Sequence, residues 1–226
     1  MCKDNLPCSL IGADASTWPK DSLLKVPVWL TESILQFKNS LDLYLAKDFT
    51  QMSQSINSLR SEEIREFYSN HAIWAFKTRA SDKPIGSKTL QKLRMPSLRV
   101  RNEVFMRDGY VCQYCTLPVV NTRVFHEFSK SVGTVKFSSE KSDTRANGVV
   151  LGFSATIDHV DPFSSGGDSD LNNLVTTCWG CNFGKLNYSV DNLGINDPRN
   201  FPKKVNFTWN GLVDYIPRLK SSRPSI

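Results

Sequence analysis

Side chains that can carry out acid–base and metal chemistry are concentrated in residues 157–185 of this 226-residue chain. Asp158 and His159 stand near the start of that segment, and Asn182 and Lys185 stand near its end. An imidazole titrates near neutral pH and can act as a general base, whereas a carboxylate binds hard metal ions through oxygen. Neighbouring side chains on a strand point to opposite faces, so Asp158 and His159 are predicted to have different roles. The pattern therefore indicates a base that activates water beside a carboxylate that binds a metal ion.

Two Cys-x-x-Cys pairs, called the first and second knuckle below, add a metal site of another kind. The first knuckle is Cys112 with Cys115, and the second is Cys178 with Cys181. The spacing within each pair is that of zinc ligands, but 62 residues separate the pairs, so spacing alone leaves open whether they share one ion. The alternative is two disulfides, which the lack of a secretory signal disfavours. The remaining cysteines, Cys2 and Cys8, receive no role.

The order of these features resembles that of the HNH endonuclease family, specifically its four-cysteine members. The sequence IDHVDPFSSGGDSDLNNLVTTCWGCNFGK at 157–185 has the Asp-His pair, a Gly-rich turn, an Asn-Leu pair, the second knuckle and an Asn-x-x-Lys tail. The sequence RNEVFMRDGYVCQYC at 101–115 resembles the approach to the first knuckle in bacterial and phage members. The resemblance covers residues 99 to about 188. It implies a ββα-metal nuclease core, also called a His-Me finger.

The resemblance implies roles for five polar residues of the segment. His159 is the general base, and Asp158 and Asn182 hold a catalytic Mg²⁺ or Mn²⁺ ion, for which oxygen ligands are suited. Asn182 stands where many family members carry a histidine. Asn173 is expected to tie the backbone of the loop and hold the histidine in place, and Lys185, one helical turn after Asn182, to reach the scissile phosphate. The two knuckles are expected to share one structural Zn²⁺ that clamps the two ends of the finger.

The activity implied by the resemblance is metal-dependent hydrolysis of DNA phosphodiester bonds. With a single histidine site per chain, nicking of one strand at a time is expected. Enzymes of this kind serve restriction, phage defence or mobile elements, and the sequence does not choose among these settings. The extra N-terminal region favours a defence nuclease that binds a defence-system protein partner through that region. The alternative is a catalytically silent zinc module that binds nucleic acid or a protein partner. The intact set of Asp158, His159, Asn173 and Asn182 argues against that alternative.

Composition and charge narrow the class of protein. With 40% apolar and 11% aromatic residues, the chain has the composition of a globular protein. No apolar run approaches a membrane span, so a soluble, cytoplasmic protein without a membrane partner is expected. The formal net charge is +6, but residues 1–76 hold seven basic and nine acidic groups, whereas residues 77–107 hold nine and two. The basic charge is therefore concentrated next to the finger.

The residues 81–96, called the basic segment below, are predicted to be a linker that lies along DNA. The segment contains Pro84, Gly86 and Pro96 with basic side chains throughout. The alternative is an ordinary solvated loop. The side chains predicted to contact DNA are Lys83, Lys88, Lys92, Arg94 and Arg99. Ser97 is predicted to cap a short helix that Gly109 ends.

Periodicity predicts helices in the N-terminal region. Apolar residues recur every three to four positions over residues 28–46, and Ser61 is a plausible N-cap for a second helix that buries Ile64, Phe67 and Tyr68. Such helices can form a small bundle of their own or pack on the finger, and the sequence leaves both open. Together with the finger they predict an α+β fold. The predicted parts are an α-helical region at 1–80, the basic segment, a nuclease domain at 97–190 and a basic extension at 191–226.

The nuclease domain is longer than a compact family member because 43 residues run from Cys115 to Asp158. The excess near 119–153 contains apolar, β-rich pieces at 132–137 and 149–153, and Asn147-Gly148 is a tight-turn signal. These features predict an inserted hairpin or loop that contacts DNA or a partner.

Overall fold

The computed structural model describes residues 26–68, 94–133, 137, 147–201, 206 and 208–223. The described elements are α1 (Val28–Leu45), α2 (Phe49–Asn57), α3 (Ser61–Glu66), α4 (Leu98–Arg107), α5 (Thr122–Val132), α6 (Gly148–Phe153), β1 (Thr156–His159), β2 (Leu174–Thr177), α7 (Trp179–Lys185) and α8 (Tyr215–Ser221). Helices thus surround a small two-stranded sheet, which agrees with the predicted α+β class. Most of the N-terminal 27 residues and of the basic segment lie outside the described residues. Among the described residues, no helix combines the length and the apolar character needed to cross a membrane.

The first predicted helix is confirmed as α1, in which the apolar residues Leu30, Ile34, Phe37 and Leu41 are fully buried and Leu45 is partly buried. The second is confirmed as α3, but the predicted N-cap is wrong. Arg60 precedes the helix without a side-chain cap, and the Ser61 hydroxyl instead accepts a hydrogen bond of 2.8 Å from the Gly148 amide. A hydrogen bond with a residue far along the chain therefore replaces the local cap.

The described residues of the insertion contain two helices, so the predicted β-hairpin is wrong for them, and residues 134–136 of the β-rich piece at 132–137 lie outside the described residues. Residue 132 ends helix α5, which is closed by Gly133 at a φ of +62°, and residues 148–153 form helix α6. Asn147 does not form a tight hairpin turn, because its side-chain oxygen accepts from the amides of Val149 and Val150 and caps α6. Short apolar runs fit a strand or a buried helix equally well by pattern, and here burial of the whole run decides for the helix.

Close packing of α6 on α3 explains the two glycines of α6. A Cβ atom at Gly148 would lie 1.8 Å from the backbone oxygen of Ser61, and one at Gly152 would lie 2.5 Å from the Ile64 side chain. The Tyr68 hydroxyl also donates to the Gly152 carbonyl oxygen at 3.3 Å. The two helices therefore approach at a distance that only glycine allows.

One hydrophobic core joins the N-terminal helices to the knuckles. Phe37 of α1 lies among Phe125 and Phe128 of α5, with ring centroids at 4.8 and 5.9 Å. Tyr68 meets Trp179 of α7 edge to face at 5.9 Å. The buried residues of α1, α3, the insertion and both knuckles form a single cluster. The sequence left open whether the N-terminal helices form a bundle of their own or pack on the finger. In the structure they pack against the rest of the chain.

Strands β1 and β2 are antiparallel, with Asp158 opposite Val175 and His159 opposite Leu174. Helix α4 closes the other edge of β2: the buried carboxylate of Asp108 accepts the Thr176 amide at 2.7 Å. That helix begins after Ser97, whose hydroxyl accepts from the Val100 amide, and Gly109 follows it at a φ of +61°, both as predicted. Helix α4 therefore supports the sheet that carries the Asp-His pair.

The C-terminal extension packs onto the insertion. Trp209 is buried and donates from its indole nitrogen to the Val119 carbonyl at 2.9 Å. Helix α8 packs on α5, and Arg223 forms an ion pair with Glu127. The extension is therefore part of the described structure and covers the insertion.

Candidate active site

Asp158 and His159 end strand β1 and have different environments, as their alternation on the strand predicts. Asp158 is 5% exposed, whereas His159 is only partly buried. The strand therefore presents the imidazole toward solvent and turns the carboxylate inward.

Two buried donors hold the Asp158 carboxylate. The Tyr114 hydroxyl donates to Oδ2 at 2.8 Å, and the ammonium of Lys185 lies 3.1 Å from the same oxygen. Burial raises the pKa of Tyr114 well above its usual range, and the carboxylate raises it further, so the hydroxyl remains a donor. Within the described residues no group bonds the other oxygen, Oδ1. The carboxylate therefore has one oxygen bound by the protein and one that can bind a cation.

The imidazole of His159 is positioned by neighbours that favour its neutral form. Burial lowers its pKa, and the positive charges of Arg94 and Lys185 lower it further, while Asp158 acts in the opposite direction. Nε2 lies 2.9 Å from the Ser169 hydroxyl, and the ring meets Phe163 edge to face at 5.6 Å. A neutral, fixed imidazole is what a general base requires.

Asn182 lies on α7 and faces the strand that carries the Asp-His pair. Its Nδ2 donates to the Ile157 carbonyl oxygen at 3.1 Å. Because a carbonyl oxygen only accepts, this bond places the amide nitrogen against the strand and leaves Oδ1 directed elsewhere. The sequence prediction that this amide oxygen binds a metal ion is compatible with that orientation.

Asn173 is the central tie of the loop between β1 and β2. Its amide nitrogen donates to the carbonyls of Asp161 and Asp168, at 3.0 and 2.8 Å, and its oxygen accepts the Asp161 amide at 2.8 Å. Within the same turn, a Cβ at Gly167 would lie 2.0 Å from the Asp161 carbonyl oxygen, so a glycine is required there. Asn173 therefore ties the backbone of this loop through three hydrogen bonds.

Lys185 lies on α7 but does not face solvent. Its side chain is fully buried, and its ammonium donates to the His159 carbonyl at 2.8 Å in addition to its ion pair with Asp158. The family resemblance predicts that Lys185 extends toward the scissile phosphate, but in the structure its ammonium points inward to Asp158 and the His159 carbonyl. The short helix turns this residue inward, onto the strand that carries the Asp-His pair.

The four knuckle cysteines come together and are all free thiols. Their sulfur atoms lie within 4.8 Å of one another and can hold a metal ion, and the Cys115 and Cys178 sulfurs are 3.7 Å apart. Tetrahedral zinc with bonds of about 2.3 Å requires sulfur separations of about 3.8 Å. The alternative of two disulfides between these four residues is therefore wrong. Burial raises the pKa of Cys115 and Cys181 well above the usual range, whereas at Cys112 burial is outweighed by hydrogen bonds with the neighbouring cysteines, which lower its pKa. Four buried thiolates at this site would need a cation to balance their charge.

Several residues that support the site have no recognisable signal in the sequence. Tyr114 stands inside the first knuckle, but nothing in the Cys-x-x-Cys pattern shows that its hydroxyl reaches Asp158. Ser169 is one serine of a Ser-rich loop. Arg199, in the C-terminal extension, pairs with Asp161 and lies 3.4 Å from the Asn173 side-chain oxygen. Each of these interactions joins parts of the chain that are distant in sequence, and only the fold brings them together.

The predicted DNA-contacting residues are described in part. Arg94 and Arg99 are exposed, and Arg99 pairs with Glu103 on the same helix. Arg107 is not available to a phosphate in this structure, because its guanidinium donates to the carbonyls of Leu171 and Leu174. The remaining members of the predicted set, Lys83, Lys88 and Lys92, lie outside the described residues.

A partly buried histidine and a buried carboxylate thus lie side by side on a strand, in a chain whose four-cysteine cluster could hold a metal ion. The model of the HNH endonuclease family matches residues 145–187, so the chain carries an HNH endonuclease domain, as the sequence motifs predicted. The matched range contains β1, β2, α7 and the predicted residues Asp158, His159, Asn173, Asn182 and Lys185, whereas Tyr114 lies outside it. Comparison with curated proteins and with solved structures found no match.

Proposed function

We propose that this protein is a metal-dependent endonuclease that hydrolyses DNA phosphodiester bonds with His159 as the general base. The observation that carries the proposal is the site at the end of β1. There an imidazole whose pKa is lowered by burial stands beside a carboxylate whose Oδ2 is held by Tyr114 and Lys185 and whose Oδ1 no described group bonds. The HNH domain match supports nuclease activity and nucleic-acid binding.

The roles follow from what phosphodiester hydrolysis demands. The anionic oxygens of the phosphate repel a nucleophile, and the departing alkoxide is a poor leaving group, so the reaction needs a base for water and a fixed geometry. His159 accepts the proton of the attacking water. Breaking the bond to the 3′ oxygen yields a 5′ phosphate and a 3′ hydroxyl.

Asp158 and Asn182 are the residues proposed to hold the catalytic metal ion. A carboxylate and an amide carbonyl are hard oxygen donors, which suit Mg²⁺ or Mn²⁺. A bound ion of this kind supplies positive charge to the phosphate and to the departing oxygen. Tyr114 and Lys185 fix the orientation of Asp158, and the bond to the Ile157 carbonyl fixes that of Asn182.

Lys185 and Asn173 are proposed to act on the geometry of the site. Lys185 bonds both the Asp158 carboxylate and the His159 carbonyl, so it couples the two side chains through the backbone of β1. Asn173 holds the loop that follows His159, since its own carbonyl accepts the Val160 amide at 2.9 Å. Both residues thereby limit movement of the base relative to the carboxylate.

The two knuckles are proposed to bind one structural Zn²⁺ that takes no part in the chemistry. Support comes from the fit of the sulfur separations and from the complete burial of the cluster. A closed site with four protein ligands has no position for water or substrate. The proposed ββα-metal core then consists of β1, β2 and α7, with zinc joining α7 to the first knuckle.

The proposed substrate is DNA bound through its phosphates by the basic segment and α4. The exposed Arg94 and Arg99 support this assignment, and both lie in the part of the sequence with the greatest excess of basic residues. Restriction or phage defence is the proposed setting. The exposed apolar side chains of α1 and α2, Val28, Leu35 and Phe49, support a protein partner on the outer face of the N-terminal helices.

Incubation with supercoiled plasmid tests the proposal. With Mg²⁺ we expect an open-circular product before linear DNA, because one site engages one strand and the second strand runs in the opposite direction. EDTA should abolish cleavage. His159→Ala should lower the rate by about 10²–10⁴-fold with plasmid affinity unchanged.

Two results would contradict the proposal in different ways. Plasmid that stays intact under every divalent metal, while the protein still binds it, would favour the catalytically silent zinc module. Linear DNA that appears without an open circle would contradict nicking and direct attention to a dimer.

A further inference from the structure

The Ser169 hydroxyl lies between the candidate base and the end of the basic segment. It is 2.9 Å from Nε2 of His159, and it donates to the carbonyl oxygen of Arg94 at 2.9 Å. We infer that Ser169 is a positioning residue that holds His159 with its proton on Nε2, leaving Nδ1 as the atom that accepts the proton from water. The inference rests on the proposed function of His159 as a base.

The direction of these two hydrogen bonds follows from counting hydrogens. A serine hydroxyl has one hydrogen, and a carbonyl oxygen can only accept. The hydrogen of Ser169 is therefore used by the Arg94 carbonyl, and the bond between Ser169 and His159 needs its hydrogen from the imidazole. In the neutral form that a general base must have, an imidazole carries one N–H, so a proton placed on Nε2 by this hydrogen bond leaves the lone pair on Nδ1.

The position of Ser169 is fixed by the loop that carries it. The carbonyl oxygen of the preceding residue, Asp168, accepts from the side-chain amide of Asn173 at 2.8 Å, and the Asp168 carboxylate accepts from the backbone amide of Asp170 at 3.1 Å. On the other side of the imidazole, Phe163 meets the ring edge to face. The hydroxyl and the ring are thus held by separate interactions, which preorganises the base before substrate binds.

The hydrogen bond with Arg94 gives the basic segment a second role. Arg94 is the last basic residue of that segment, and its backbone carbonyl, not its side chain, orders the Ser169 hydroxyl. A residue that belongs to the proposed DNA-binding segment therefore also belongs to the hydrogen-bond chain that orients the base. Substitutions that alter the Arg94 side chain should spare this chain, because they leave the carbonyl in place.

Steady-state nicking of supercoiled plasmid by Ser169→Ala, Ser169→Thr and Ser164→Ala, with Mg²⁺, tests the inference. Ser164 is the matched control because its buried hydroxyl has no hydrogen-bond partner within the described residues. We expect Ser169→Ala to lower kcat by about 10–100-fold, which is the loss seen when a hydrogen bond that orients a metal-binding histidine is removed. KM, bound zinc and melting temperature should be unchanged. Ser169→Thr, which keeps the hydroxyl, should restore kcat to within a few-fold, and Ser164→Ala should match the unaltered protein.

The tautomer itself can be read by ¹⁵N NMR of protein labelled at histidine, with His159→Ala used to assign the signals. We expect the proton of His159 on Nε2 in the unaltered protein and a mixture of tautomers in Ser169→Ala. A proton on Nδ1 in the unaltered protein, or an unchanged kcat in Ser169→Ala, would overturn the inference. If the unaltered protein does not cleave DNA at all, the proposed function fails, and the NMR result still decides whether Ser169 sets the tautomer.

Discussion

Replacing Lys185 with methionine should destabilise the protein strongly, because it leaves the Asp158 carboxylate buried without its cation. The two side chains are 0% and 6% exposed and 3.1 Å apart. At that separation and an effective dielectric constant of about 20, the attraction is about 5 kcal/mol. Removing one partner of a buried pair typically costs about 3–5 kcal/mol, because the other charge stays desolvated. Methionine nearly preserves the volume, so the loss reflects charge rather than a cavity.

Urea unfolding of the zinc-loaded protein without Mg²⁺ measures this loss. For a chain of this length, about 3–5 kcal/mol corresponds to a melting temperature lower by about 6–20 °C. The double variant Asp158→Asn with Lys185→Met should recover most of the stability, since it removes the orphaned charge. Arg99→Met is the control on an exposed pair with Glu103, where the Arg99 side chain is 87% exposed, and it should have little effect.

The reasoning would be refuted if Lys185→Met unfolded at the urea concentration of the unaltered protein. It would also be refuted if the double variant were as unstable as Lys185→Met, since the cost would then come from packing. In that case the proposed coupling of Lys185 to Asp158 in the active site would lose its support.

Three further predictions concern the zinc site, the insertion and DNA binding. Elemental analysis of protein purified without chelator should find one zinc per chain, and absence of zinc would contradict the assignment. Cys178→Ser should unfold the finger, because metal binding and folding are coupled in such domains. Gly152→Ala should lower the free energy of unfolding by about 1–3 kcal/mol in urea titrations, because its Cβ would overlap Ile64 on α3; an unchanged midpoint would contradict the close packing. Neutralising Lys83, Lys88, Lys92 and Arg94 together should flatten the plot of log affinity for DNA against log salt concentration. The magnitude of the slope should fall by about 0.9 for each phosphate contact that is lost. An unchanged slope would show that the basic segment is an ordinary solvated loop.

The insertion shows where prediction from sequence failed and why. Its apolar run at 149–153 and the Asn-Gly pair before it fit a hairpin by local pattern. The structure buries the whole run as α6 against α3, and the Asn147 side chain caps the helix. A run that is apolar at nearly every position has no periodicity to distinguish strand from helix, so its packing partner decides.

The sequence by itself determined the parts of this protein that depend on residue type at short spacing. These are the Asp-His pair, the two knuckles and the apolar period of α1, since each follows from a few neighbouring positions. Tertiary structure alone decided how the site is held. Ser61 meets Gly148 from 87 positions away, Ser169 meets Arg94 from 75, and Tyr114 meets Asp158 from 44. Such hydrogen bonds use common side chains whose partners are set by the packing of helices and loops, so no local pattern records them.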